Sequence, residues 1–193
     1  ILNVWNSEGV QYSKPKLKMM GIEAVKSSTP APCRTAIKDA LNIMMSGTQS
    51  ELINFISKFK DEFYNMEPED IAFPRSVNGL SKYRSTTDVY TKGTPLHVRG
   101  SLLYNFYVSK KKLENIYPLI QEGEKIKYVH LKVDGKNNYM QEDVFSFLNT
   151  FPRQLGLEVC IDKKKQFYKS FLAPLQIITD VIGWETEKKG SLE

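Results

Sequence analysis

The sequence is poor in the residues from which self-contained catalytic centres are built. Only two histidines, His97 and His130, occur in 193 residues, and neither has a partner at metal-ligand spacing. Only two cysteines, Cys33 and Cys160, are present. They follow no disulfide or zinc spacing, which argues against a stapled secreted domain and for a reducing compartment. There is no glycine-rich phosphate loop and no serine in a nucleophile elbow. The acids gather on one helix and in tails rather than as pairs on strand ends, where two-metal phosphoryl transfer needs them. No apolar run approaches the roughly 18 residues of a membrane span. The first residue is Ile1 and no charged-then-apolar leader follows it. The chain therefore reads as a piece of something longer, with an independent small enzyme the least favoured reading.

What is present is ordinary material for about one domain, with charge arranged unevenly. Apolar residues make up 41% and charged residues 25%, enough for one core and a soluble surface. The net charge of +5 divides into +3 over residues 1–37, −3 over 38–80, +6 over 82–136 and −1 over 137–193. Two basic stretches around an acidic one fit a protein that follows a phosphate backbone on one face.

The pattern along the chain predicts an α+β fold, mainly helical with a small antiparallel β element. Val4, Trp5, Val10 and Tyr12 around Asn6-Ser7-Glu8-Gly9 read as a hairpin, and such a hairpin needs further sheet or close packing. Ser27-Ser28-Thr29-Pro30 is a helix start, with Thr29 as cap and Pro30 at the first helical position. That helix should run to about Met45 and stop at Gly47. A second, from Ser50, carries Leu52, Phe55, Ile56, Phe59 and Phe63 on a core-facing stripe, and solvation accounts for its acids Asp61, Glu62, Glu67, Glu69 and Asp70. Phe73-Pro74-Arg75 and Asn78-Gly79 read as loop and turn. His97–Lys112 should be a third helix with Leu102, Leu103, Phe106 and Tyr107 inward. Ile126–Val133 alternates as a strand. Asp162–Ile182 reads as a long last helix with Tyr168, Phe171, Leu172, Leu175, Ile178 and Ile182 on one face and a kink or break at Pro174. Residues 185–193 read as a charged, disordered tail.

The candidate site is a kit for holding phosphates. Lys16, Lys18 and Lys26 precede a helix N-terminus, whose free N–H groups and dipole favour an anion. Ser27, Ser28 and Thr29 add hydroxyl donors. Lys82-Tyr83-Arg84 and the segment from Lys92 through His97 to Arg99 bring bases and an aromatic onto loops. The plainer reading is that Thr29 only caps and the lysines only solvate. A different class of function, a module in which the acidic second helix and the tail recruit other proteins, fits the same charge pattern.

The residues also carry a family resemblance. Asn3-Val4-Trp5, Glu8-Gly9, Lys14-Pro15-Lys16-Leu17-Lys18, Met20-Gly21-Ile22-Glu23 and Lys26-Ser27-Ser28-Thr29-Pro30 resemble the end of the palm and the start of the thumb in family B DNA polymerases of T-even-type bacteriophages. Ser81-Lys82-Tyr83, His97-Val98-Arg99-Gly100, Tyr168 to Leu175 and Lys188-Lys189-Gly190-Ser191-Leu192 follow in the same order. The resemblance implies a palm remnant over 1–25, a thumb over 26–184 and the tail over 185–193. It implies that the thumb grips primer–template DNA through phosphates and the minor groove. Lys26 matches a lysine that reaches the minor groove. Lys82, Tyr83 and Lys169 match backbone-binding residues, and His97 and Arg99 fall in a His-x-Arg-Gly element.

Some family features are missing or altered. The Lys-Lys-x-Tyr primer-binding motif and the palm carboxylates that hold magnesium would lie before Ile1, so no catalytic centre and no cofactor are expected in these residues. The aromatic tail that docks in the sliding clamp would lie beyond Glu193, which leaves the clamp a candidate partner through a cut tail. The palm is the other expected partner, no membrane is involved, and the implied setting is the cytoplasm of an infected bacterial cell. Ala173 stands where a lysine is expected, and one extra residue separates Lys92 from His97.

Overall fold

The computed structural model describes residues 2–5, 9, 11–17, 19–22, 24, 26–134 and 137–188, with backbone alone for 2–5 and 11–17. Strand β1 (Leu2–Trp5) pairs antiparallel with β2 (Gln11–Leu17), with Leu2 opposite Leu17 and a register shift between Asn3 and Trp5. This is the expected hairpin. The tail beyond Lys188 lies outside the described residues.

Helices then surround a small sheet, and the α+β class is as expected. Helix α1 (Ala31–Ser46) is followed at once by α2 (Gln49–Tyr64). Thr29 does not cap α1: Pro30 occupies the cap with no side-chain bond, and Thr29 is buried one step earlier in a turn whose amide donates to the Lys26 carbonyl at 3.2 Å. Helix α2 begins instead on a capping box, where the Thr48 amide donates to Glu51 at 2.7 Å and the Glu51 amide returns a bond to Thr48 Oγ1. Its far end is closed by Lys163 Nζ, which donates to the Tyr64 carbonyl at 2.6 Å. Its buried stripe of Leu52, Ile56, Phe59 and Phe63 is as the spacing predicts.

Two of the three sheet strands do not follow simple patterns. After the short α3 (Pro68–Ile71), the segment Phe73-Pro74-Arg75 is strand β3 (Phe73–Ser76), not a loop. Proline is tolerated there because β3 is an edge strand. It pairs antiparallel with β4 (Lys125–His130), Phe73 opposite Tyr128, and β4 pairs with β5 (Val144–Phe147), Tyr128 opposite Ser146. All four β5 residues are buried, so no alternation marks the strand in the sequence. The strand expected to reach Val133 ends at His130, and a lone bridge joins Leu131 to Ile161.

Between these strands, Gly79 turns the chain at φ +94°, and Glu122 caps the following α4 (Leu80–Tyr83) by accepting the Gly79 and Leu80 amides. Helix α5 (Leu96–Lys110) lies against the β5 backbone. A Cβ on Gly100 would stand 2.8 Å from the Ser146 amide nitrogen and 3.1 Å from the Phe145 carbonyl carbon, so only glycine fits. Buried Asn105 fixes the chain that leaves α5, donating to the Ile120 carbonyl at 2.9 Å and accepting its amide at 2.8 Å. Contrary to the expected inward face, Phe106 is 42% exposed.

The last helical stretch is built of three pieces. Asp162 caps α6 (Lys163–Phe167), accepting the Lys165 amide at 2.9 Å. A π-helical segment over Tyr168–Leu172 follows, then α7 (Ala173–Ile182), with Pro174 in its first turn. The helix thus meets Pro174 by widening one turn rather than by kinking. Burial then recurs every fourth residue, at Phe167, Phe171, Leu175 and Thr179, while Tyr168 and Ile182 face solvent and not the core. Phe171 meets Phe59 at 4.8 Å between ring centroids and Phe167 meets Phe63 at 5.3 Å, which joins this stretch to α2. Each such ring buried from water contributes about 1.5–3 kcal/mol.

Two expectations about charge also change. Glu67 and Glu69 are not merely solvated: Arg153 reaches them at 2.6 and 3.0 Å. Partial burial raises the Glu69 carboxyl, but the Phe151 amide and Arg153 hold it below its usual range on balance. Of the expected loose tail, Glu185 donates its amide to Gln49 at 3.2 Å and Thr186 accepts from Gln176 at 3.3 Å. No helix among the described residues is long and apolar enough to cross a membrane.

Replacing Gly100 by alanine should destabilise the chain by roughly 1–3 kcal/mol, because the added methyl meets backbone that cannot move aside. Urea unfolding monitored by circular dichroism should show the midpoint falling with an unchanged slope.

Candidate nucleic-acid interface

Most of the residues singled out in the sequence fall at the starts of two helices. Helix α2 caps its first turn with Thr48 and Glu51, and α6 does so with Asp162. Helices α1 and α5, of 16 and 15 residues, do neither. Each has a proline at the cap, Pro30 and Pro95, with no side-chain bond and no acid in its first turn. Proline supplies no hydroxyl or carboxylate, so the leading N–H groups receive no side-chain cap and the dipole there stays positive.

Lys26, Ser28 and Thr29 form the approach to α1. Lys26 is exposed, Ser28 half-buried and Thr29 buried. His97 and Arg99 stand in the first turn of α5. Arg75, on β3, connects the two: its Nη1 donates to the Ser28 carbonyl at 3.1 Å, and its charge acts on His97. Burial first, and Arg75 second, hold the His97 imidazole below its usual value, so it is uncharged at neutral pH. Arg99 is turned inward, where it pairs with Asp143, lies 5.7 Å from the Tyr90 ring centre and comes within 4.0 Å of Glu142. Its guanidinium braces the loop to the sheet edge.

Lys82, Tyr83 and Lys92 form a second group. Lys82 Nζ lies 5.1 Å from the Tyr83 ring centre. The Thr91 amide donates to the Tyr83 carbonyl at 2.9 Å, which brings exposed Lys92 back beside α4, and a bridge between Arg84 and Tyr90 closes the loop between them.

Lys169 reaches the same region from the other side. It is exposed on the π-helical segment, whose Ser170 hydroxyl accepts from buried Cys33 of α1 at 3.2 Å. Lys169 and Lys165 act electrostatically on His130, which is T-shaped against Phe73 and Tyr128 on the sheet face that also holds Arg75. Lys16 lies on β2 with its side chain outside the description, and Lys18 lies outside the described residues. Arg75, Tyr128 and His130 were not singled out beforehand. The only hint of them was the mix of base and aromatic in Phe73-Pro74-Arg75 and in the strand around Tyr128. Among the described residues, no group of three or more His, Cys, Asp and Glu side chains is placed to hold a metal ion.

His130 is 2% exposed, and its Nδ1 has no hydrogen-bond partner among the described residues. Burial, then the charges of Lys165 and Lys169, push its pKa from 6.5 down to about 4. The folded state thus refuses a proton that the unfolded chain accepts. Stability is intact above pH 6.5 and is lost as pH falls from there toward 4. Unfolding free energy should drop by roughly 2 kcal/mol between about pH 7 and pH 5. His130→Gln should flatten most of that slope in parallel urea titrations, leaving the smaller share due to His97.

Comparison with known proteins agrees with the resemblance read from the sequence. The chain is 29% identical over 205 aligned residues to the DNA-directed DNA polymerase of Escherichia phage RB69. It is 26% identical over 196 to the DNA-directed DNA polymerase of Enterobacteria phage T4. The alignments take in 99% and 100% of this chain but 21% of each relative, so the chain spans about a fifth of their length. No protein-family model matches the chain.

Proposed function

We propose that this chain is the thumb region, with the end of the palm, of a family B replicative DNA polymerase of the phage type, and that it grips primer–template duplex behind the site of synthesis. The observation that carries the reading is the pair of helix starts without side-chain caps, α1 and α5, joined by Arg75 and flanked by Lys26, Lys82 and Lys92. Two positive helix ends fixed on one scaffold offer two phosphate seats held by backbone, which is sequence-independent by construction. The exposed lysines add screened, long-range attraction that draws the duplex in. Within this reading His97 and Arg99 hold the start of α5 in place, and Lys169 approaches the duplex from the π-helical segment. The carboxylates and magnesium of nucleotidyl transfer belong to the palm of the whole enzyme, so this chain alone binds DNA without extending it.

A second reading, recruitment of another replication protein, is favoured by one feature. An open cleft of about 800 Å3 between α2 and α6 is lined by Ile53, Tyr64, Tyr168 and Leu172 with Lys60 and Lys164 at hand. A pull-down of clamp or single-strand-binding protein without DNA separates this reading from the first.

Binding of the chain to primer–template DNA should weaken steeply with salt, each neutralised phosphate adding about 0.9 to the log–log slope. Lys26→Glu with Lys82→Glu should lower affinity roughly tenfold or more at low salt and reduce that slope by about 2. Fluorescence anisotropy with a labelled duplex measures both quantities. Binding unchanged by the double substitution overturns the proposal.

A further inference from the structure

The far end of α5 carries a surface that the duplex-gripping role does not use. Phe106 is 42% and Tyr139 45% exposed, and half-buried Tyr107 stands between them, at 5.1 Å from the first ring and 5.3 Å from the second. Folding has not used these faces, and three adjoining rings at such exposure are an uncommon arrangement on a soluble surface. Two exposed lysines lie on them. Lys110 Nζ is 5.5 Å from the Phe106 ring centre and 5.8 Å from that of Tyr107, and Lys111 Nζ is 4.7 Å from that of Tyr139. Lys112 follows, also exposed.

The rings are held rigidly. The Tyr139 hydroxyl donates to the Leu155 carbonyl at 3.1 Å, which anchors the ring by its tip and leaves its face open. Phe106 and Tyr107 are fixed by α5 itself. Beside them runs an open cleft of about 950 Å3, bounded by Phe106, Tyr107 and Lys110 on one side and by Arg84, Ser85 and Thr86 on the other. Asp88 is the one carboxylate among its lining residues. Phe106 is seven residues beyond Arg99 in the sequence, roughly 10 Å further along α5 at 1.5 Å per residue.

We propose that this patch binds single-stranded DNA, with successive bases stacked on Phe106, Tyr107 and Tyr139 and the phosphates running along Lys110, Lys111 and Arg84. Every base offers a π-face, so stacking on open rings is tolerant of sequence, and the cations supply the complement to the backbone. A duplex keeps its bases stacked on each other and has none to offer, which is why the rings select the single strand. An exposed lysine over a ring is a weaker contact than a stacked base. An arriving base therefore displaces the ammonium from the ring face and frees it to meet a phosphate. The proposal stands apart from the duplex-gripping role, because it uses none of the residues assigned there.

The test is fluorescence anisotropy of the whole chain with a labelled oligothymidylate of about twelve nucleotides and, separately, a blunt duplex. Phe106→Ala with Tyr139→Ala should weaken the oligothymidylate about tenfold or more and leave the duplex unchanged. Tyr139→Phe, which keeps the ring, should retain binding. Lys110→Glu with Lys111→Glu should lower the salt slope for the single strand by about 1.4, at about 0.7 per contact. Should the Tyr139→Ala chain fail to fold, Phe106→Ala alone carries the test. Single-strand binding that ignores the rings, or that is lost in Lys26→Glu with Lys82→Glu and kept in the ring variants, overturns the proposal. So does ring-dependent binding of polyglutamate in place of the oligonucleotide. Loss of duplex binding alone bears on the thumb reading and leaves this one standing.

Discussion

One buried side chain joins the elements on which both surfaces rest. Gln166 accepts the His130 amide at 3.1 Å and donates to the Ile71 carbonyl at 2.8 Å. Its own carbonyl accepts the Ser170 hydroxyl at 2.7 Å, and that hydroxyl takes the thiol of Cys33. This continuous hydrogen-bonded line runs from α1 through the last helix to β4 and α3. All of it is out of water, so a missing member would leave a buried polar group unpaired at a cost of about 1–3 kcal/mol. The spacing between the start of α1, the sheet and Lys169 is therefore set by hydrogen-bond geometry rather than by greasy contact alone, which tolerates sliding.

The aromatic packing on α2 and the glycine contact on α5 divide the remaining work. Phe59, Phe63, Phe167 and Phe171 supply most of the apolar contact on the α2 side. Gly100 and Ser146 set the opposite side by close approach, and the Ser146 hydroxyl holds the His97 carbonyl at 2.9 Å. That bond ties the start of α5, and with it the second phosphate seat, to the edge of the sheet. The His-x-Arg-Gly run thus acts as a unit. Its glycine permits the approach, its first carbonyl takes the sheet's hydroxyl, and its arginine locks the flanking loop through Asp143 and Tyr90.

Local patterns showed the helices well because their information is local. The stripe of Leu52, Ile56, Phe59 and Phe63 and the stop at Gly47 need only neighbours a few residues away. The sheet was far less visible. Pro74 disguised an edge strand, and Val144–Phe147, buried on both sides, has no alternation to read. The lysines of the candidate site stood out by type, yet what unites them did not. Arg75 meets Ser28 across 47 positions, and Lys169 is drawn in by a strand pairing that no local window contains. Phe106 was assigned to the core by helical spacing. Its exposure follows from how tightly Gly100 seats α5, a tertiary fact.

The π-helical segment has a consequence for how this chain can vary in length. A widened turn is what remains when a helix absorbs one extra residue without breaking. Deleting one residue between Tyr168 and Leu172 would let the segment relax to ordinary α-helix and swing everything after it by about 100° about the axis. Leu175 and Thr179 would leave the core together, and the chain that Glu185 pins to Gln49 would point elsewhere. An insertion elsewhere in that helix has no such reservoir to draw on. The wide turn makes this short stretch the place where the register of the whole C-terminal half is stored.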